Sequence, residues 1–241
     1  MLKQEIMSWG DRWAGQVIVA CHGQNNQPKT DANASQIREA SLQMAALAGA
    51  RDIRCLFLTI MGQRESIWSD GRLVFPQHEN QFAKTGYLYE LTEWYGRIMP
   101  GRFAVMYDIM LSAATDSVDP TFPELTEKEV AENYGVLPWS FFNNSVLPGG
   151  LLTSDIRYMG AWNTAGLPTG GSHKDYYLRT GAGTVGNLLV NNDGTWSEVS
   201  IDITHMSQAG GRALAFGGDG VGAIPASDGV VGILSNNLFF K

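Results

Sequence analysis

A chain of 241 residues, 44% hydrophobic and 10% aromatic, can bury a sizeable core without staples and suits one α/β domain with an insertion, or two small domains. Its formal charge of -7, from 24 acidic against 17 basic residues with no run of Lys or Arg, excludes the footprint of a nucleic-acid binder. No apolar stretch approaches the roughly 20 residues that span a bilayer and no secretory signal opens the chain, so the expectation is a soluble protein, made in a cytoplasm, without membrane insertion.

In chain order, Gln16 to Cys21 reads as a strand buried on both faces, because the run is short, continuous and β-rich. Ile37, Ser41, Met44 and Leu47 or Ala48 then share one helical face between Ala34 and Ala48, with Asp31 or Asn33 as a cap and Gly49 as the stop. Ile53 to Ile60 is a second buried strand. The two cysteines, Cys21 and Cys55, fall in these strands and read as buried thiols, with no disulfide and no metal site. Asn80 to Tyr95 carries Phe82, Leu88, Leu91 and Trp94 or Tyr95 at helical spacing, with Gly96 as C-cap. Arg102 to Asp108 reads as a third strand. Thr126-Glu-Lys-Glu129 is a capping box opening a short helix that Gly135 ends. Strands alternating with helices predict a parallel sheet with helices on both faces.

Most of the excess glycine lies after residue 148, where segments also shorten. Arg157 to Asn163, Asp175 to Thr180, Asn187 to Val190 and Thr195 to Val199 are strand candidates, and Asn192-Asp-Gly194 marks a tight hairpin, so a small antiparallel β module is expected. Helical character returns at Met206 to Phe216, before a Gly-rich segment over 217–241. The expected division is an α/β domain over 1–148, an inserted β module over 149–200, a return to the α/β domain over 201–216, and the Gly-rich tail.

Tyr158-Met-Gly-Ala-Trp-Asn163, Asp175-Tyr-Tyr-Leu-Arg-Thr180 and Asn192-Asp-Gly-Thr-Trp196 together resemble a β module of bacteriophage tail-fibre proteins, with its YxGxW opening, DYY strand and DG-x-W hairpin. The larger part resembles the GDSL/SGNH esterase domain of phage tail proteins. That likeness rests on Gln16 to Gly23 with Ala34-Ser-Gln-Ile-Arg38, on Leu91 to Asp108, on Val136-Leu-Pro-Trp-Ser140, and on the DxxH stretch Asp202-Ile-Thr-His205 followed by Gly210. The resemblance implies an SGNH-like three-layer αβα fold around a parallel sheet. It further implies a tail-fibre or tailspike component of the virion, a homotrimer that meets other phage tail proteins, whose SGNH-like domain serves as structure or as a surface recognising a host glycan, with no cofactor.

In DxxH an aspartate three residues ahead of a histidine can orient the imidazole, which can then take a proton from a serine. The same spacing also suits an aspartate capping the last helix. The serine itself is missing. Where the family has Gly-Asp-Ser the chain offers Trp9-Gly10-Asp11-Arg12, and where the sialate-type branch has Gly-Gln-Ser-Asn it offers Gly23-Gln24-Asn25-Asn26. Neither Arg12 nor Asn25 can form an acyl-enzyme, which implies a relic triad of Asp202 and His205. Gly23, Gln24, Asn25 and Gln63 are the expected oxyanion and pocket residues, while His78 stands in a polar loop and His22 and His173 have no evident partner. Trp68, Trp139 and Trp162, in turn-adjacent stretches, are the candidates for stacking on sugar rings. Two other readings stay open: an active carbohydrate O-acetylesterase whose serine lies elsewhere, and an unrelated α/β binding domain.

Overall fold

The computed structural model describes residues 14–21, 31–59, 64, 66–75, 87–219 and 229–236. Among the described residues the chain is mixed α/β, with one parallel three-stranded sheet, one four-stranded sheet and three two-stranded ones. The parallel sheet has β1 (Val17–Cys21) paired to β2 (Arg54–Leu58), with α1 (Asp31–Gly49) between them in sequence. β2 is central and its apolar run is buried on both faces; β1 lies at an edge among the described strands, and Val19 and Cys21 are exposed. The expectation of a doubly buried first strand and two buried thiols therefore fails at β1, while Cys55 is buried and both thiols are free.

A polar excursion follows, from which β3 (Ile67–Ser69) and β4 (Arg72–Val74) form a hairpin. α2 (Tyr87–Ile98) then leads into β5 (Phe103–Ala104), which completes the parallel sheet beside β2. Gly96 lies inside α2 instead of capping it: the helix runs on to Ile98, and a Cβ at Gly96 would rest on the Phe103 ring. The third strand is also shorter than its apolar run. From Met106 the chain turns into α3 (Met106–Leu111), because Met106, Ile109 and Met110 recur at helical spacing and all three are buried.

β6 (Val118–Asp119) and β7 (Phe122–Thr126) form a second hairpin, which feeds α4 (Glu127–Tyr134). Here the capping box is complete: Thr126 accepts from the Glu129 backbone, Glu129 accepts from that of Thr126, and Gly135 ends the helix at φ 63°. β8 (Phe142–Asn143) follows a short 3₁₀ turn, and residues past Pro148 build a four-stranded sheet. Its strands are β9 (Arg157–Trp162), β10 (Asp175–Arg179), β11 (Leu188–Asn192) and β12 (Thr195–Val199). The hairpin at Asp193-Gly194 has both residues at positive φ, as its sequence predicts. The module is nevertheless not all antiparallel: β9 and β10 run parallel, because the wide loop between them carries the chain back to the start of the sheet. β13 (Asp202–Met206), α5 (Gln208–Phe216) and α6 (Val230–Asn236) close the chain, so Met206 ends a strand and does not begin the helix.

The alternation of β2 splits the core. Cys55 and Phe57 face α1 and α2, meeting Ile37, Met44, Leu91 and Tyr95. Leu56 and Leu58 face the other way, against Met106, Met110, Phe141 and Ala213, with α6 packed alongside. Both predicted helices thus cover one face, and α3, α5 and α6 cover the other. The four-stranded sheet has its own core of Tyr176, Leu178, Leu188 and Val190, which packs against Leu73 and Trp139 of the α/β part. No described helix is long and apolar enough to cross a membrane. The face of α1 read from its spacing is the buried one, with the Ser41 hydroxyl bonded to Tyr95 Oη at 2.7 Å. Met44→Ala should therefore cost about 2–5 kcal/mol of unfolding free energy by denaturant titration, and an unchanged midpoint would show that α1 packs by another face.

Candidate functional site

Residues 144–201 make a long excursion that leaves the α/β part at β8 and returns at β13, its antiparallel neighbour. Asn143 stands opposite Asp202 and Phe142 opposite Met206, with a bulge between. DxxH therefore lies on an irregular strand, not on a free loop. The bulge lets Asp202 reach forward: Oδ1 accepts the His205 N–H at 3.1 Å, and Oδ2 lies 2.6 Å from Nδ1. A carboxylate can only accept, so this contact keeps the proton on Nδ1 and leaves Nε2 able to take one. The His205 side chain is 72% exposed. Among the described residues no hydroxyl or thiol is hydrogen-bonded to the imidazole.

The dyad is held from behind. Ser207 caps α5, accepting from the Gly210 N–H at 3.1 Å, while its hydroxyl donates to the Ser140 carbonyl at 2.8 Å. The Ser207 N–H donates to the Phe141 carbonyl. Gly210 must be glycine, because a Cβ there would stand 2.4 Å from that carbonyl oxygen. Ser140 in turn donates its N–H and hydroxyl to Glu127, at 2.8 and 2.9 Å. Burial pushes the Glu127 carboxyl above the ordinary glutamate range, with the Ser140 N–H working against that shift.

Beside the dyad lies a cleft of about 560 Å³, to which Asp202 contributes. One wall comes from Arg64 and Ser66, beyond the carboxyl end of β2, with Leu73, Phe75 and Thr121; the other comes from the turn at Thr184–Asn187 and from Ser200 and Ile201. Arg64 is fixed in that wall. Its Nη1 donates to the Leu137 carbonyl at 2.6 Å, and Nη2 donates to Thr121 Oγ1 at 2.8 Å and to the carboxylate of Asp119. The two ionised side chains are 2% and 0% exposed, and Phe75 packs under the guanidinium.

The sequence candidates divide. Asp202 and His205 are paired, and Asp202 reaches the cleft. Gly23, Gln24, Asn25 and Gln63 lie outside the described residues, as do Arg12, His22 and His78. Trp139 is 1% exposed in the core, so it offers no face to a sugar. Its place beside Pro138 in a turn reads as a loop, but the turn is itself buried by the module. Trp68 is half-buried on β3 against that core. Trp162 is half-buried on β9, 5.3 Å from the Tyr177 ring, and donates to the Gly166 carbonyl at 3.3 Å. His173 pairs with the exposed Asp193. Arg64, Ser66, Glu127 and the 184–187 turn carry no signal of a site in the sequence, apart from Asp119-Pro-Thr121, whose Asx-type turn is the anchor Arg64 uses. Among the described residues no cluster of three or more His, Cys, Asp or Glu could hold a metal ion.

No family model matches the chain, and no curated protein or solved structure matches it.

A raised carboxyl pKa favours the folded state while protonated, so the contribution of Glu127 is full at acid pH and is lost as pH rises through its folded value. Urea unfolding of wild type and Glu127→Gln across a pH series should show the wild type losing ground to the variant from the ordinary glutamate range towards neutrality. A pH-independent difference would contradict a buried, shifted Glu127.

Proposed function

We propose that this chain is a bacteriophage tail-fibre or tailspike component, a homotrimer in the virion alongside other tail proteins. Its α/β domain is a degenerate GDSL/SGNH-type αβα domain that recognises host-surface glycan without hydrolysing it. The observation that carries the reading is the Asp202–His205 pair, held at 2.6 Å on the rim of a cleft that the 149–200 module helps to wall. A paired Asp and His with no hydroxyl bonded to the imidazole among the described residues is the arrangement expected when a serine triad loses its nucleophile. The helices on both faces of the parallel sheet agree with the αβα expectation. The YxGxW stretch also has a physical sense: Gly160, at φ 123° in the β9 bulge, lets Tyr158 pair with Tyr176 on the core face while Trp162 pairs beside Tyr177 on the other.

The second reading is an active carbohydrate O-acetylesterase, and the intact dyad is what favours it. Two serines, Ser66 and Ser200, line the cleft, though the Ser66 hydroxyl points its proton at the Val185 carbonyl at 3.4 Å. Incubation with 4-nitrophenyl acetate and with an O-acetylated oligosaccharide separates the two. The degenerate site predicts release at the uncatalysed rate, unchanged in His205→Ala; turnover that His205→Ala abolishes would replace this reading with the esterase one. Sedimentation should give three times the chain mass of 26.3 kDa, and a monomer would count against the fibre assignment.

A further inference from the structure

The chain carries the same two-residue turn twice. Asp70-Gly71 closes the β3–β4 hairpin between the paired Ser69 and Arg72, and Asp193-Gly194 closes β11–β12 between the paired Asn192 and Thr195. All four turn residues have positive φ, 52° and 79° in the first turn and 52° and 85° in the second, and all four are exposed. Aspartate before glycine is open to attack on its own carboxyl, because the next backbone nitrogen has no side chain beside it. In the protonated acid that nitrogen bonds to Cγ as the C–OH bond breaks, and the hydroxyl leaves with the amide proton as water. Water then reopens the succinimide. Scission of the new N–Cγ bond restores aspartate, whereas scission of the original peptide bond leaves isoaspartate, with the main chain running through Cβ and Cγ.

The two turns differ in what holds the attacking nitrogen. The Gly194 N–H donates to Asn191 Oδ1 at 2.8 Å, and Asn191 is 0% exposed with its Nδ2 on the Gly170 carbonyl. The Asp193 N–H in turn donates to His173 Nδ1 at 3.2 Å. Cyclisation must turn the 193–194 peptide out of this clamp, leaving a buried amide oxygen without its donor. Trp68 stands where Asn191 does, three residues ahead of the glycine, and its side chain has no acceptor oxygen to offer. Among the described residues the Gly71 N–H meets no acceptor, and the Asp70 carboxylate has only the exposed 3.2 Å contact from the Ser69 hydroxyl. We infer that Asp70-Gly71 is the hairpin turn that isomerises, while Asn191 and His173 protect Asp193-Gly194. Isoaspartate adds a backbone atom to a two-residue turn whose register sets Trp68 against Leu73, and Leu73 lines the cleft. Isomerisation of Asp70 therefore loosens one cleft wall.

The test is storage of the whole folded chain at neutral pH and body temperature, beside a sample unfolded in guanidinium chloride, with isoaspartate located by peptide mapping and electron-transfer fragmentation. In the folded chain isoaspartate should accumulate at Asp70 about fivefold or more faster than at Asp193. In denaturant, where glycine follows both aspartates and no clamp survives, the ratio of the two rates should fall to about one. Asn191→Ala should raise the folded-state rate at Asp193 about fivefold and leave that at Asp70 unchanged; His173→Ala, at an exposed position, makes the same test should the first variant not fold. Hydrogen exchange across β3–β4 should quicken in the isomerised fraction. Equal rates in the folded chain, a faster Asp193, or a bias that persists in denaturant would overturn the inference. A rate at Asp193 untouched by both variants would overturn the clamp, and unchanged exchange in the isomerised fraction would overturn the effect on the cleft wall.

Discussion

Because the chain leaves the α/β part at Asn143 and re-enters at Asp202, the pairing of these residues fixes where everything between them sits. The same seam sets the dyad. Ser207 and Gly210 dock α5 on the carbonyls of Ser140 and Phe141, and that docking aims the bulged β13 strand. Ser140 is oriented by a buried Glu127 at the first turn of α4, so the capping box is part of the same support. Phe141 and Phe142, on the outgoing side, are buried in the core under β2. A shift of the seam therefore moves the parallel sheet's underlayer, the dyad and the module together.

The buried Arg64–Asp119 pair does a different task. Desolvating two ions costs several kcal/mol each, so such a pair adds little net stability even with good hydrogen bonds. What it adds is position: the pair ties the segment beyond β2 to the β6–β7 hairpin and to Leu137, three stretches far apart in sequence. Loss of either partner strands a buried charge, at about 3–5 kcal/mol. The cleft wall is thus held by an interaction whose disruption is expensive although its formation is nearly neutral.

The parallel sheet was legible because a central strand covered on both faces must be a continuous apolar run, as Cys55 to Leu58 is. The capping box and the Asp193-Gly194 hairpin were legible because each is set by local backbone chemistry. The errors share a cause in tertiary context. Val17 to Cys21 has the composition of a central strand, but its edge position exposes alternate residues. The apolar run through Met110 satisfies both periods, and burial of Met106, Ile109 and Met110 decided for a helix from Met106. The parallel β9–β10 pair depends on a loop returning over the sheet, tied down by Arg179 to the Thr164 and Gly166 carbonyls and by Trp196 to that of Gly170. Trp139 looked accessible because a turn buried by a sheet from later in the chain looks like any other turn. The dyad could be read since its two members are neighbours on the chain; the cleft could not, since its walls come from Arg64 to Phe75, Thr121, Thr184 to Asn187 and Ser200 to Asp202.

The cleft and the Asp202–His205 pair are built largely from different elements. The cleft is walled by the β3–β4 hairpin, the Arg64 segment and the module's turn, whereas the dyad belongs to the seam, and the charges of Arg64 and Asp119 reach the seam's Glu127. Asp202 serves both, lining the cleft while its two carboxylate oxygens hold His205. A side chain with two such employments resists substitution even where no nucleophile is activated: without the carboxylate the bulge loses the acceptor for the His205 N–H, and the strand that carries the cleft wall at Ile201 loses its shape. On the proposed reading this is why an Asp–His pair outlives the serine it once served, since its geometry is also the geometry of the binding surface.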